Sequence, residues 1–167
     1  MQSSWKNLIF TLLLLALSGC GFQLKGTGNI AGDNSLRGQT LVVISNDARG
    51  ELTLALLEQL RLAGAVVSAG QTAALSVQIG REDFSQRNLS LTAQARSAEI
   101  ELLMRTDFSM RTDGDVVVAS DAQVIRQYLN DPQNIVGKTE ELRLLREEMR
   151  RDLAAQIVRR LGHSLSN

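Results

Sequence analysis

Ala98-Glu99-Ile100-Glu101-Leu102-Leu103-Met104-Arg105-Thr106-Asp107-Phe108-Ser109-Met110 alternates with a period of two. Ile100, Leu102, Met104, Thr106, Phe108 and Met110 fall on one side; Glu99, Glu101, Arg105, Asp107 and Ser109 fall on the other. Successive side chains of a strand point to opposite faces, so this stretch predicts a half-buried strand. Asp113-Gly114 follows, a pair that tolerates the positive φ angles of a two-residue hairpin turn, and Val116 to Tyr128 supplies a returning strand of similar length. The two strands are expected to pair antiparallel. At ~3.4 Å per residue each arm runs roughly 40 Å, so parts of the hairpin are expected to project beyond the helices that cover the sheet.

Toward the N-terminus, Leu41-Val42-Val43-Ile44 is a continuous apolar run between Gly38 and Ser45-Asn46-Asp47, the pattern of a buried strand. From Arg49 to Ala63 the residues Leu52, Leu56, Leu60 and Ala63 recur at helical spacing, with Leu57 beside them and Gly64 as the stop. Ala65-Val66-Val67 offers a short strand. Ala74 to Phe84 alternates, with Leu75, Val77 and Ile79 opposite Ser76, Gln78 and Glu82. Beyond the hairpin, a helix is expected after Lys138, with Thr139 as N-cap and Glu140 and Glu141 in its first turn. Its stripe is Leu142, Leu145, Met149, Leu153, Ile157 and Leu161, and Gly162 follows as a stop. Strand, helix, several antiparallel strands, helix gives an α+β two-layer sandwich with both helices on one face of the sheet. The other face needs a partner or a polar surface, and Leu103, Val117, Ala119 and Ile125 fall on it, which points to a face that is not wholly solvated.

The first residues read differently. Lys6 precedes an apolar run from Leu8 to Leu17, about half the roughly 20 residues a bilayer-crossing helix needs, so this is the layout of a cleaved signal peptide. Leu17-Ser18-Gly19-Cys20 resembles the lipobox of bacterial lipoproteins. Small residues admit the peptidase, and the Cys20 thiol is the nucleophile that receives a diacylglyceryl group. Each buried methylene is worth ~0.8 kcal/mol, one chain gives marginal attachment, and several give a stable anchor. Cys20 is the only cysteine, so an exported domain has no disulfide partner for it. Gly21, in place of Asp, points to sorting to the outer membrane. The expected organisation is a signal peptide over 1–19, a lipidated N-terminus and tether over 20–38, and one domain over 39–167.

The chain has 18 basic and 18 acidic residues, and losing Lys6 with the leader keeps it near neutral. That argues against a nucleic-acid partner bound through bulk charge. With Cys20 lipidated and His163 the single histidine, the usual nucleophiles, bases and metal ligands are missing, so no enzyme, no metal and no cofactor beyond the covalent lipid are expected. Glu140, Glu141, Glu147 and Glu148 sit beside arginines as a solvated helix face. Gly137-Lys138-Thr139 resembles the end of a phosphate loop, but Pro132 stands where the first glycine is required, and Gly26-Thr27-Gly28 lacks a preceding strand. The basic residues near loops, Arg81, Arg87, Arg96 and Lys138, are suited to anionic groups such as those of a phosphorylated glycolipid.

Several segments together resemble the LPS-assembly lipoproteins of the LptE family: Gly19-Cys20-Gly21-Phe22-Gln23-Leu24-Lys25, Gln59 to Gly64, Ser97-Ala98-Glu99, Tyr128 to Gln133, and Lys138 through Glu148 to Leu161. The resemblance implies two helices against a mostly antiparallel four-stranded sheet. It also implies a non-catalytic role as a plug inside the outer-membrane β-barrel LptD, assisting barrel assembly and contacting lipopolysaccharide on its way to the cell surface. Lys138 matches a lysine that the family uses for lipopolysaccharide contact. The family's other basic contact aligns with Ala93, where Arg96 or Arg87 could substitute. Two rival classes stand beside this one: a free-standing lipid carrier or pilotin-like lipoprotein, and a hydrolase acting on envelope polymers.

Overall fold

The computed structural model describes residues 34–70, 73–91, 97–129 and 135–166. The leader, Cys20, Ala93, Arg96 and the Asn130–Gln133 part of the resemblance lie outside these residues. A 3-10 turn, Asn34–Leu36, is followed by strand β1 (Thr40–Ser45), helix α1 (Glu51–Leu62), and strands β2 (Val66–Val67), β3 (Leu75–Ile79), β4 (Asp83–Leu91), β5 (Ser97–Thr112) and β6 (Asp115–Leu129). Helix α2 (Ile135–Leu165) is last.

The hairpin is present as the alternation predicts. β5 and β6 pair antiparallel from Glu99 opposite Leu129 to Thr112 opposite Asp115. Asp113 and Gly114 join them with φ of 51° and 94°, so both turn residues have positive φ, as a type I′ turn requires. Ile100, Leu102, Met104, Thr106, Phe108 and Met110 are all buried. A one-residue bulge between Met110 and Arg111 leaves Val117 as the extra residue.

Among the described residues the sheet has six strands, which corrects the expected four; it is mixed, with β1 parallel to both β2 and β3 and the remaining pairings antiparallel. β6 occupies one edge of β5 along its length, so β3 and β4 follow one another along the other edge. Ile79 pairs with Phe108 and Asp83 with Arg105, which places one extra residue at the β3–β4 junction. Gly80 makes this bulge possible: its N–H donates to Asp107 O at 2.8 Å, and a Cβ there would stand 3.2 Å from the same oxygen. The bulge switches parity, so Ile79 and Phe84, five apart, both meet the core.

Both helices cover one face. Leu52, Leu56 and Leu60 of α1 and Met149, Leu153, Ile157 and Leu161 of α2 join the inward residues of β1, β3, β5 and β6 in one core. α1 ends as expected: Gly64 has φ 84°, its N–H reaches Arg61 O, and Ala65 N–H reaches Leu60 O, a Schellman closure.

α2 departs from expectation at both ends. It starts at Ile135, so Thr139 is inside the helix and is not its N-cap, and it runs through Gly162 to Leu165. Leu165 extends the stripe one turn past Leu161 and packs on the core, outweighing the ~1 kcal/mol that glycine costs inside a helix. This 31-residue helix is ~46 Å long at 1.5 Å per residue, and it follows the hairpin for most of its length. Among the hairpin's described residues a run of exposed positions is found only at Asp113–Val117 around the turn, and in the neighbouring β4 Ser85–Leu89 is exposed throughout.

Residues 34–38, placed in the tether by composition, belong to the folded body. Leu36 is buried in the core, Ser35 Oγ donates to Gly162 O at 2.6 Å, and Gly38 N–H donates to Gly64 O at 2.9 Å.

Candidate functional site

The face of the sheet away from the helices is built by the hairpin's odd-numbered residues. Leu103 stands opposite Ile125, Arg105 opposite Gln123, Asp107 opposite Asp121 and Ser109 opposite Ala119. β4 adds Asp83, Ser85 and Arg87 to the same face, paired with Arg105, Leu103 and Glu101. Ile125, Val116 and, from β1, Ile44 are about half exposed, so apolar surface is left open within a frame of charge.

Two ion pairs cross from β4 to β5, Arg87 Nη2 to Glu101 Oε1 at 2.8 Å and Arg105 Nε to Asp83 Oδ2 at 2.8 Å. The second raises the pKa of the Arg105 guanidinium, first through the hydrogen bond to Asp83 and then through its charge. Both pairs are exposed and contribute little to stability. They do fix which charges the face presents.

Arg87 therefore sits on the open face, committed to Glu101, toward the end of the hairpin remote from the turn. Lys138 lies near the start of α2, half-buried, and makes no ion pair among the described residues. Its neighbour Glu140 is engaged elsewhere: Arg143 Nη2 donates to Glu140 Oε1 at 2.7 Å, and this hydrogen bond holds the carboxyl below its ordinary pKa. Tyr128 is close in the fold. Its hydroxyl is buried with no partner among the described residues, and burial, then the charge of Glu141, raises its pKa. Arg87 and Lys138 thus share one end of the molecule but no contact joins them, and Arg96 lies outside the described residues.

Periodicity gave no sign of the cluster around Arg150. Its Nε and Nη2 donate to Glu82 at 2.7 and 2.9 Å, and it also pairs with Glu51, tying the β3–β4 junction to the start of α1. These residues, with Asp47, Arg49 and Arg81, line an open cleft of about 610 Å³. Arg81 is thereby placed in a cleft apart from Lys138. Glu82 falls in register with Ser76 and Gln78 on the polar side of the Ala74–Phe84 alternation, so no local signal marked it. Among the described residues no group of three or more His, Cys, Asp or Glu converges as a metal site.

The lipopolysaccharide-assembly family model LptE matches residues 38–161. The LPS-assembly lipoprotein LptE of Pectobacterium atrosepticum is 29% identical over 157 residues, covering 93% of this chain and 83% of that protein. That of Yersinia pestis is 28% identical, covering 93% and 74%. Among solved structures, rare lipoprotein B from Shewanella oneidensis has a TM-score of 0.69 at 27% identity, covering 75% of this chain and 96% of that one. Lipoprotein B from Nitrosomonas europaea, at 20% identity, has the same fold with a TM-score of 0.69, covering 87% and 93%. The family match spans β1 to the last turns of α2, the elements that build both the core and the open face, and the chain belongs to the LptE family of lipopolysaccharide-assembly lipoproteins.

Proposed function

We propose that this chain is a non-catalytic outer-membrane lipoprotein that plugs the LptD β-barrel, assists its assembly and contacts lipopolysaccharide during delivery to the cell surface. The observation that carries this reading is the one-sided sheet. Its inner face is sealed by two helices, while its outer face presents Ile125, Val116 and Ile44 within a frame of ion pairs. Such a surface is suited to enclosure by a surrounding wall. Lipid on Cys20 supplies the anchor, and among the described residues no helix is long and apolar enough to cross a membrane. A free-standing carrier or pilotin-like lipoprotein is the second reading. It needs a deep apolar cavity, whereas the clefts around Arg150 and Arg143 carry charged side chains over half or more of their lining, and the more apolar cleft beside Val42, Val43, Leu57 and Val67 holds only about 300 Å³.

Lys138, Arg87 and Arg96 are the proposed lipopolysaccharide contacts. Lys138 is the strongest of these, because no carboxylate in the described structure competes for its ammonium. Lys138→Glu is expected to weaken lipopolysaccharide binding about two- to fivefold, the effect of reversing one accessible charge. Titration with purified lipopolysaccharide, with folding checked by circular dichroism, measures it; unchanged binding removes Lys138 from the site.

A further inference from the structure

β6 is the long open edge of the sheet. It pairs with β5 over its whole length, and among the described residues no strand pairs with its other side. In an antiparallel ladder alternate residues direct their N–H and C=O toward the partner, and those between direct theirs away. Three carbonyls identify the outward set. Asp121 O accepts from the Arg160 guanidinium. Gln123 O accepts from the Gln156 amide at 3.0 Å, in the amide orientation that also lets Gln156 accept from Arg160 at 3.1 Å. Ile125 O accepts from Arg126 Nη1 at 3.3 Å. An exposed edge is a template for another strand, and these side chains cover its acceptors.

Beside the edge, between β6 and α2, runs a shallow groove in two segments of about 430 and 610 Å³ that share Gln156 and Arg159. Its walls bring together Arg126, Arg159, Arg160 and His163 against Asp152. Arg126 pairs with Asp152, and Arg160 also reaches Ser120 Oγ at 3.2 Å. Arg159 is exposed and makes no ion pair among the described residues.

We infer that this groove binds an extended acidic segment of another polypeptide, added to β6 as a further strand. Backbone N–H groups of the incoming strand replace Arg160, Gln156 and Arg126 at the three carbonyls. Its carboxylates accept the guanidiniums so released. A neutral or basic segment supplies the first half of this exchange and not the second, leaving the displaced Arg160 beside Arg159 with no carboxylate acceptor, while Arg126 keeps Asp152.

The test uses the full chain in detergent micelles and synthetic peptides of roughly eight residues, within the range of ordinary strands. One alternates threonine with glutamate, a second threonine with lysine, and a third is the glutamate peptide with alternate amides N-methylated. The glutamate peptide is expected to bind saturably, the lysine peptide at least about tenfold more weakly, and N-methylation to weaken binding by a similar factor. Arg159→Glu, which breaks no ion pair, is expected to lower affinity for the glutamate peptide about threefold or more, with the unfolding midpoint unchanged. Absence of saturable binding of the glutamate peptide, equal affinity for the two charges, indifference to N-methylation, or an unaltered affinity in Arg159→Glu would each overturn the inference.

Discussion

Leu153→Ala is expected to lower the unfolding free energy by about 3–4 kcal/mol, the middle of the range for a leucine removed from a packed core. Leu153 is fully buried at the centre of α2's stripe, in the same cluster as Leu56 of α1 and Leu102 and Met104 of β5. The loss combines transfer of the missing methyls with the cavity left behind. Against the ~5–15 kcal/mol available to a domain, it removes a large share of the total. Leu153→Met, which conserves volume, should cost less than about 1.5 kcal/mol. Urea unfolding measures both, and a cost below about 1 kcal/mol for the alanine variant would show that the two helices do not share one core.

Cys20→Ala is expected to remove all acyl mass from the chain and with it stable membrane attachment. One acyl chain alone gives an association constant of only about 10⁴ per molar, so the proposed anchor depends on several chains delivered through a single sulfur. Intact-mass measurement and membrane fractionation from the native host read both effects. A wild-type chain with a bare Cys20 and its leader attached would contradict the anchor.

The hairpin was legible because its signal repeats: six alternating inward residues and an Asp-Gly pair all agree on one register. The bulge at Gly80 was not, because Ala74–Phe84 looks like one continuous alternation unless the extra residue is known to be absorbed opposite Thr106 and Asp107. The ends of α2 misled for a related reason. Thr139 and Gly162 carry ordinary cap signals, but the decisive terms are a start at Ile135 and the docking of Leu165, which depend on tertiary packing. Leu36 escaped because a single apolar residue among Gly, Asn and Ser has no period.

The site divides in the same way. Arg87 and Lys138 stand out as basic residues near loops, and the open face follows from the odd positions of the hairpin. Nothing local announces that Arg87 pairs with Glu101, that Arg150 joins Glu82 to Glu51, or that Arg160 and Gln156 lie over β6. Each of these contacts joins residues 14 or more apart and requires the register to be known first.

A photo-crosslinking residue at Ile125, at the middle of the open face, tests the plug reading most directly in outer membranes of the native host. The expected result is an adduct with a β-barrel of much greater mass, identified as LptD. No adduct from that position, together with isolation of the chain as a lone monomer after gentle solubilisation, would contradict it.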